Sequence, residues 1–191
     1  MALFGRRLRL PAELRALFGE TERVLAMAED GPAAVAATQV GLWLPVAQQD
    51  RPPEPWGDSA QGGPAAGWRR IGWDQVVKAT WAEDGLQVIE GVRDDSGVVT
   101  DLPALTLRLA EPRTLPAVVK TRVEASIARW EQVRVPGGTG RIVARRRPGT
   151  DGLVWTARLD SGMPDSPAAR AALASYLDRV AALAPEQNLL A

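Results

Sequence analysis

Between residues 22 and 110 the chain breaks into seven short apolar segments, each ended by turn-forming residues, and that spacing leaves no room for a fold built on long helices. ERVLAMAE (22–29) runs into Asp30-Gly31-Pro32, and AAVAAT (33–38) meets LWLP (42–45) at Gln39-Val40-Gly41. WRRIGW (68–73) and QVVKATW (75–81) follow, the second ending at Glu83-Asp84-Gly85. LQVIEGV (86–92) stops at Asp94-Asp95-Ser96-Gly97, and ALTLRLA (104–110) closes the series. Glycine reaches positive φ without strain, and Asp and Ser side chains bond their own backbone, so these clusters favour turns over continued strand. Seven strands this short and this close predict a β-sandwich or barrel.

Between the third and fourth strands lies AQQDRPPEPWGDSAQGGPAAG (47–67), with four prolines, four glycines and no aliphatic side chain larger than alanine. Too little apolar surface is available there to offset the entropy of ordering, so a mobile loop is expected. Trp56 within it reads as an aromatic resting on the protein's own surface rather than as a docking peptide. Ahead of the strands, PAELRALF (11–18) predicts a short helix with Leu14, Leu17 and Phe18 on one face, stopped by Gly19. MALFGRRLRL in front of it reads as a frayed, partly docked arm rather than a membrane-lying segment.

After the seventh strand, Thr114 and Pro116 form a helix-start signature, and Val119, Val123 and Ile127 make an apolar stripe over 114–127. Lys120 and Glu124 pair along the same helix. Three more strands follow, ARWEQVRV (128–135), RIVARRR (141–147) and LVWTARL (153–159), joined by the hairpin loops PGGTG and PGTDG. A last helix starts at Ser166-Pro167, with Leu173, Tyr176, Leu177, Val180 and Leu183 on its buried face. The expected organisation is an N-terminal arm (1–19), a seven-stranded unit closed by a helix (20–127), and a three-stranded meander plus helix (128–191) packed with it.

The chain contains no cysteine and no histidine. Disulfides are excluded, zinc loses its usual ligands, and no Ser-His or Cys-His pair can form. Gly137-Gly138-Thr139-Gly140-Arg141 lies between two strands and lacks the Lys-Ser/Thr of a phosphate loop, so it reads as a hairpin turn. The acidic turns at 83–85 and 94–97 lack the alternating ligands of a calcium loop. Trp68, Trp73, Trp81, Trp130 and Trp155 each fall in or at the end of an apolar strand, where core packing is expected over base stacking. No catalytic residue, metal site or cofactor is assigned. No secretory leader or membrane span is read from the chain, and a cytoplasmic location is the expectation.

Charge is balanced overall but uneven along the chain. Residues 74–112 carry three positive and eight negative charges, a net of −5, whereas 113–158 carry ten positive and three negative, a net of +7. Two such halves can attract each other in the fold, or one can face a partner. The sharpest basic feature is Arg145-Arg146-Arg147. Side chains alternate along a strand, so the three cannot act together. A register that sets Ile142 and Ala144 beside Trp155 and Ala157, with Val133 and Val135, makes one apolar face, and Arg146 falls at its edge. Arg145, Arg147 and Arg158 then share the other face with Arg134 and Arg141 as a candidate basic stripe. Arginine outnumbers lysine 21 to 2, as in a high-GC genome, so a solvated face competes with a site for an acidic protein or anionic ligand.

GLWLP after a tight hairpin, then WRRIGWDQVVKATW, resembles the strand–turn–strand stretch of bacterial pleckstrin-homology-like (PH-like) domains, and TLPAVVKTRVEASI sits where their closing helix sits. The resemblance covers about residues 20–127, and the whole chain, from ERVLAMAEDG through VARRRPG, is similar to an uncharacterised family of actinobacterial proteins. It implies a β-barrel or sandwich of seven strands closed by a helix, and a non-catalytic binding or scaffold module. Lipid-binding members use basic residues in the first hairpin loop. Here that loop is Glu29-Asp30-Gly31-Pro32, which disfavours a phosphoinositide. An enzyme with a carboxylate pair in a pocket, or a weak nucleic-acid binder, is the alternative.

Overall fold

The computed structural model describes residues 9–30, 33–46, 67–83, 85–109 and 111–183. The arm before Arg9, Trp56 and the expected mobile loop up to residue 66 lie outside them. After a short helix α1 (Ala12–Ala16), β1 (Val24–Asp30), β2 (Ala33–Thr38), β3 (Gly41–Pro45) and β4 (Trp68–Gly72) form an antiparallel sheet in chain order. In the second sheet β6 (Gly85–Arg93) is central. It pairs with β5 (Val76–Ala82) on one side, and with β7 (Val99–Asp101) and β8 (Leu105–Leu107) end to end on the other. Helix α2 (Leu115–Ser126) runs without a loop into β9 (Ile127–Val135), which pairs with β10 (Gly138–Arg146) and then β11 (Leu153–Leu159) as a third sheet. Helix α3 (Pro167–Leu183) completes the described chain.

The fold is mainly β, as the turn spacing implies, but two details differ. Among the described residues eight strands precede α2 instead of seven, because the three-residue β7 is too short to show a period. Among the described residues none of the three sheets closes on itself, so the first eight strands make two open sheets rather than a closed barrel.

Alternation along the strands builds the core between those sheets. Leu42, Leu44 and Ile71 from the first sheet, with Trp73 in the turn after β4, meet Val76, Leu86, Val88 and Leu107 from the second. Helix α2 adds Leu115, Val119 and Val123 to the same cluster. The buried Trp73 indole N–H donates to the Thr38 carbonyl at 3.0 Å, which satisfies the one polar atom so large a side chain brings inside. At the sandwich margin Arg69 of β4 reaches Glu90 of β6 at 2.6 Å. The stripe on α2 is as expected except at its ends. Thr114 has near-helical backbone (φ −92°, ψ −5°) and its side chain makes no capping bond, while Ile127 is already extended and begins β9.

The outer face of the first sheet is covered by α1, whose Leu14 packs with Ala36, Trp43 and Trp68. Glu22 accepts hydrogen bonds there from the Trp43 indole at 2.6 Å and the Thr38 hydroxyl at 2.7 Å.

The meander has the expected register, with Ile142 opposite Ala157 and Ala144 opposite Trp155. Val133, Val135, Ile142 and Ala157 are covered by Ala169, Leu173 and Leu177 of α3. At Gly140 any Cβ would lie 2.8 Å from a Leu173 methyl carbon and from the Arg158 carbonyl, so glycine lets α3 seat this closely. The α3 N-terminus is capped as its sequence implies, Ser166 Oγ accepting from the Ala169 N–H at 3.2 Å. Leu183, expected on the buried face, is 85 % exposed at the end of the helix. Trp155 packs on this face with its indole N–H enclosed and unbonded among the described residues, a cost of about 1–3 kcal/mol. A parallel bridge between Val98 and Ala157 links the meander to the second sheet, with the Ala157 N–H donating to the Gly97 carbonyl. Gly97 has φ +82°, a conformation that presents this carbonyl and that glycine adopts without strain.

Candidate interaction surface

The meander face turned away from α3 carries Trp130, Gln132 and Arg134 from β9, Arg141, Val143 and Arg145 from β10, and Val154, Thr156 and Arg158 from β11. These are the residues out of phase with the apolar set under α3, so the sequence's alternation assigns the face correctly. Its exposure is another matter. At one end α2 and the β4–β5 turn lie against the sheet, and Val143, Arg145 and Val154 are buried there. The other end is open.

The triple arginine sits at the buried end, and all three members hold the preceding unit. Arg145, expected on an exposed stripe, is only 8 % exposed. Its guanidinium donates to the Ser126 hydroxyl at 2.9 Å and to the Trp73 carbonyl at 3.4 Å. Ser126 in turn donates to the Val123 carbonyl at 2.7 Å, so its hydroxyl is used in both senses. Burial pulls the Arg145 pKa down, opposed by the Asp74 carboxylate nearby. Arginine stays charged at neutral pH in spite of such a shift. Arg147 reaches the same Asp74 at 3.6 Å, and Arg146, on the opposite face, donates to the Ala125 carbonyl at 3.1 Å. Ala125 and Ser126 end α2, where a cation also meets the negative end of the helix dipole. The run is a clasp between the meander, the α2 terminus and the β4–β5 turn.

At the open end Arg141 and Arg158 stand directly opposite each other on neighbouring strands, a repulsive arrangement unless each has an acid. Arg141 takes Asp160 at 2.7 Å, and Arg158 takes Asp101 at 2.8 Å. Asp160 also accepts from Thr139 at 2.6 Å and Gln132 at 3.0 Å. The Thr139 hydrogen bond is the largest influence holding the Asp160 carboxyl below its usual range. Arg134 is exposed and has no ion-pair partner among the described residues. The five candidate arginines are therefore separated: Arg145 and Arg147 face the clasp, Arg158 is paired with β7, and Arg134 with Arg141 remain at the open end.

A second brace, which no local sequence pattern marks, centres on Arg170 of α3. It bonds Asp165 at 2.6 and 2.8 Å, Asp94 at 2.9 Å and the Thr100 hydroxyl. The Asp165 bonds raise the guanidinium's pKa most, and Asp165 itself is lowered chiefly by that hydrogen bond. Asp94 is lowered too: burial opposes ionisation, but bonds from Ser96 and Val98 and the charge of Arg170 outweigh it. Its other oxygen closes the 94–98 turn, so that acidic cluster is a local turn and an α3 tether.

Among the tryptophans, Trp68 and Trp73 are buried and Trp155 partly so, but Trp81 and Trp130 are 50 % and 60 % exposed. The expectation that all five pack into core is corrected at these two. For Trp130 the signal was present: it is out of phase with Val133 and Val135, the buried residues of its own strand. The Arg141 guanidinium carbon lies 5.5 Å from the Trp130 ring centroid, a cation–π arrangement with the ring otherwise open.

Elsewhere, an open depression of about 440 Å³ beside α1 is lined by Leu10, Arg15, Phe18, Gly19, Glu22, Arg23 and Val24. Its Glu22 is already committed to Trp43 and Thr38. Among the described residues no group of three acids is placed to hold a metal ion, and no helix is long and apolar enough to cross a membrane. Comparison with family models, curated proteins and solved structures returns no match.

Proposed function

We propose that the chain is a non-catalytic, PH-like binding or scaffold module that takes an acidic protein segment at the open end of the meander face. The observation that carries this reading is Trp130, more than half exposed, with Arg141 against its ring and Arg134 on the same strand face. An exposed aromatic flanked by arginines is the composition of a protein-binding centre. Two antiparallel sheets followed by α2 support the PH-like part of the reading, and a cytoplasmic, actinobacterial setting belongs to the same proposal. The acidic first hairpin disfavours a phosphoinositide. Nucleic acid is disfavoured because the arginines do not form one continuous stripe: Arg145 is buried, and Arg147 and Arg158 are engaged by Asp74 and Asp101. An enzyme with a carboxylate pair would need one acid pushed up to hold a proton at neutral pH. Asp94, Asp160 and Asp165 are all shifted the other way.

The test is fluorescence anisotropy with a labelled Asp/Glu-rich peptide. Binding is expected at low ionic strength, weakening as salt rises. Arg134→Glu combined with Trp130→Ala should remove it while leaving the melting temperature close to the parent's, since both side chains are exposed. No binding at the lowest salt, or binding indifferent to these substitutions, rejects this face as the site.

A further inference from the structure

β9 is an edge strand nine residues long, and no described strand pairs with its outer side. Long uncovered edges are templates for another strand, and proteins commonly blunt them. Here the first part is blunted by a register shift, Ala144 pairing Arg129 but Arg145 pairing Ile127. From Arg129 onward the ladder is regular.

The direction of its free backbone groups follows from the neighbouring strands. The Asp160 N–H donates to the Thr139 carbonyl, so odd-numbered β10 residues point their peptide groups toward β11 and even-numbered ones toward β9. On β9, the partners of those even residues are Arg129, Glu131, Val133 and Val135. Trp130, Gln132 and Arg134 therefore turn their N–H and C=O outward.

Arg129 and Glu131 are both exposed, lie on the same face, and have no ion-pair partner among the described residues. That pattern is complementary to itself. We propose that β9 pairs antiparallel with β9 of a second copy, with the two-fold axis at Trp130. Outward-pointing residues must meet outward-pointing residues, which restricts the axis to a residue rather than the space between two. Centred on Trp130, the register sets Arg129 opposite Glu131 of the second copy, twice, at a close non-hydrogen-bonded position. Trp130 then faces its own equivalent. Centred on Glu131, the two glutamates oppose each other. Centred on Gln132, Arg129 and Glu131 face valines and both charges stay unpaired. Only the Trp130 register satisfies them. The two three-stranded sheets then become continuous, with both Trp130–Arg141 patches on one side and both α3 helices on the other.

This proposal goes beyond the acidic-partner reading, and the two fail separately. Arg129 and Glu131 lie on the face opposite Arg134 and Arg141. Sedimentation equilibrium of the full chain without peptide, across the micromolar to high-micromolar range, should show a reversible dimer. Arg129→Glu alone and Glu131→Arg alone each place like charges opposite one another twice, and each should weaken the dimer about tenfold or more. The double variant R129E/E131R restores opposite charges and should recover the parental affinity to within a few-fold. Melting temperatures near the parent's confirm that the variants are folded. A monomeric parent throughout the range, a dimer that ignores the single changes, or a double variant no better than the singles overturns the proposal. Peptide binding retained in the charge-swapped double variant would leave the acidic-partner reading standing in each of those cases.

Discussion

Arg145→Glu should lower the unfolding free energy by about 3–5 kcal/mol, whereas Arg134→Glu should stay within about 0.5 kcal/mol of the parent. The two substitutions remove the same charge from the same face of the meander. They differ in what surrounds the side chain. A glutamate at 145 would be buried beside the Asp74 carboxylate, leaving the Ser126 hydroxyl and the Trp73 carbonyl without their charged donor. At 134 the side chain is exposed. Chemical denaturation read by tryptophan fluorescence measures both. Equal, small losses would mean that Arg145 is a surface residue and that the clasp does not exist.

This contrast also shows how far the sequence could be read. Alternation places Arg134, Arg141, Arg145, Arg147 and Arg158 on one face and Ile142 and Ala144 on the other, and the strand register agrees for all but Arg147, which lies just past the end of β10. Period-two patterning reports which face, not what lies against it. That the α2 terminus and the Trp73-Asp74 turn cover one end depends on long-range packing, which no local pattern encodes. The uneven charge distribution was legible in part. Asp74 and Asp101 of the acidic stretch do meet Arg147 and Arg158 of the basic one. No sequence pattern marks Arg170, because its partners are scattered from Asp94 to Asp165. For Trp130 residue type and phase disagree: tryptophan in a strand usually packs inside, but its position out of phase with Val133 and Val135 turns it outward, and phase prevails.

The other large effect concerns α2. Val119 is fully buried against both sheets of the first unit, and Val119→Asp should cost on the order of 4 kcal/mol, because its carboxylate has no cation or donor within the apolar cluster. One residue further on, Lys120 is solvent-facing, so Lys120→Asp loses only a weak pairing with Glu124 at 3.9 Å and should cost less than about 1 kcal/mol. Thermal melts of the pair decide whether α2 presents the face described. Similar melting temperatures for the two variants would place the helix elsewhere.

The arginines of the meander and of α3 fasten this C-terminal part to the preceding sheets, through Arg145, Arg147, Arg158 and Arg170, so that the two parts open together. Native-state hydrogen exchange compares them directly, reading the amides of Ile142–Ala144 in β10 against those of Leu42–Leu44 in β3. One opening free energy is expected for both sets, equal to that of global unfolding. If the β10 amides exchange through a separate opening of clearly lower free energy while β3 stays protected, the arginines are not a clasp.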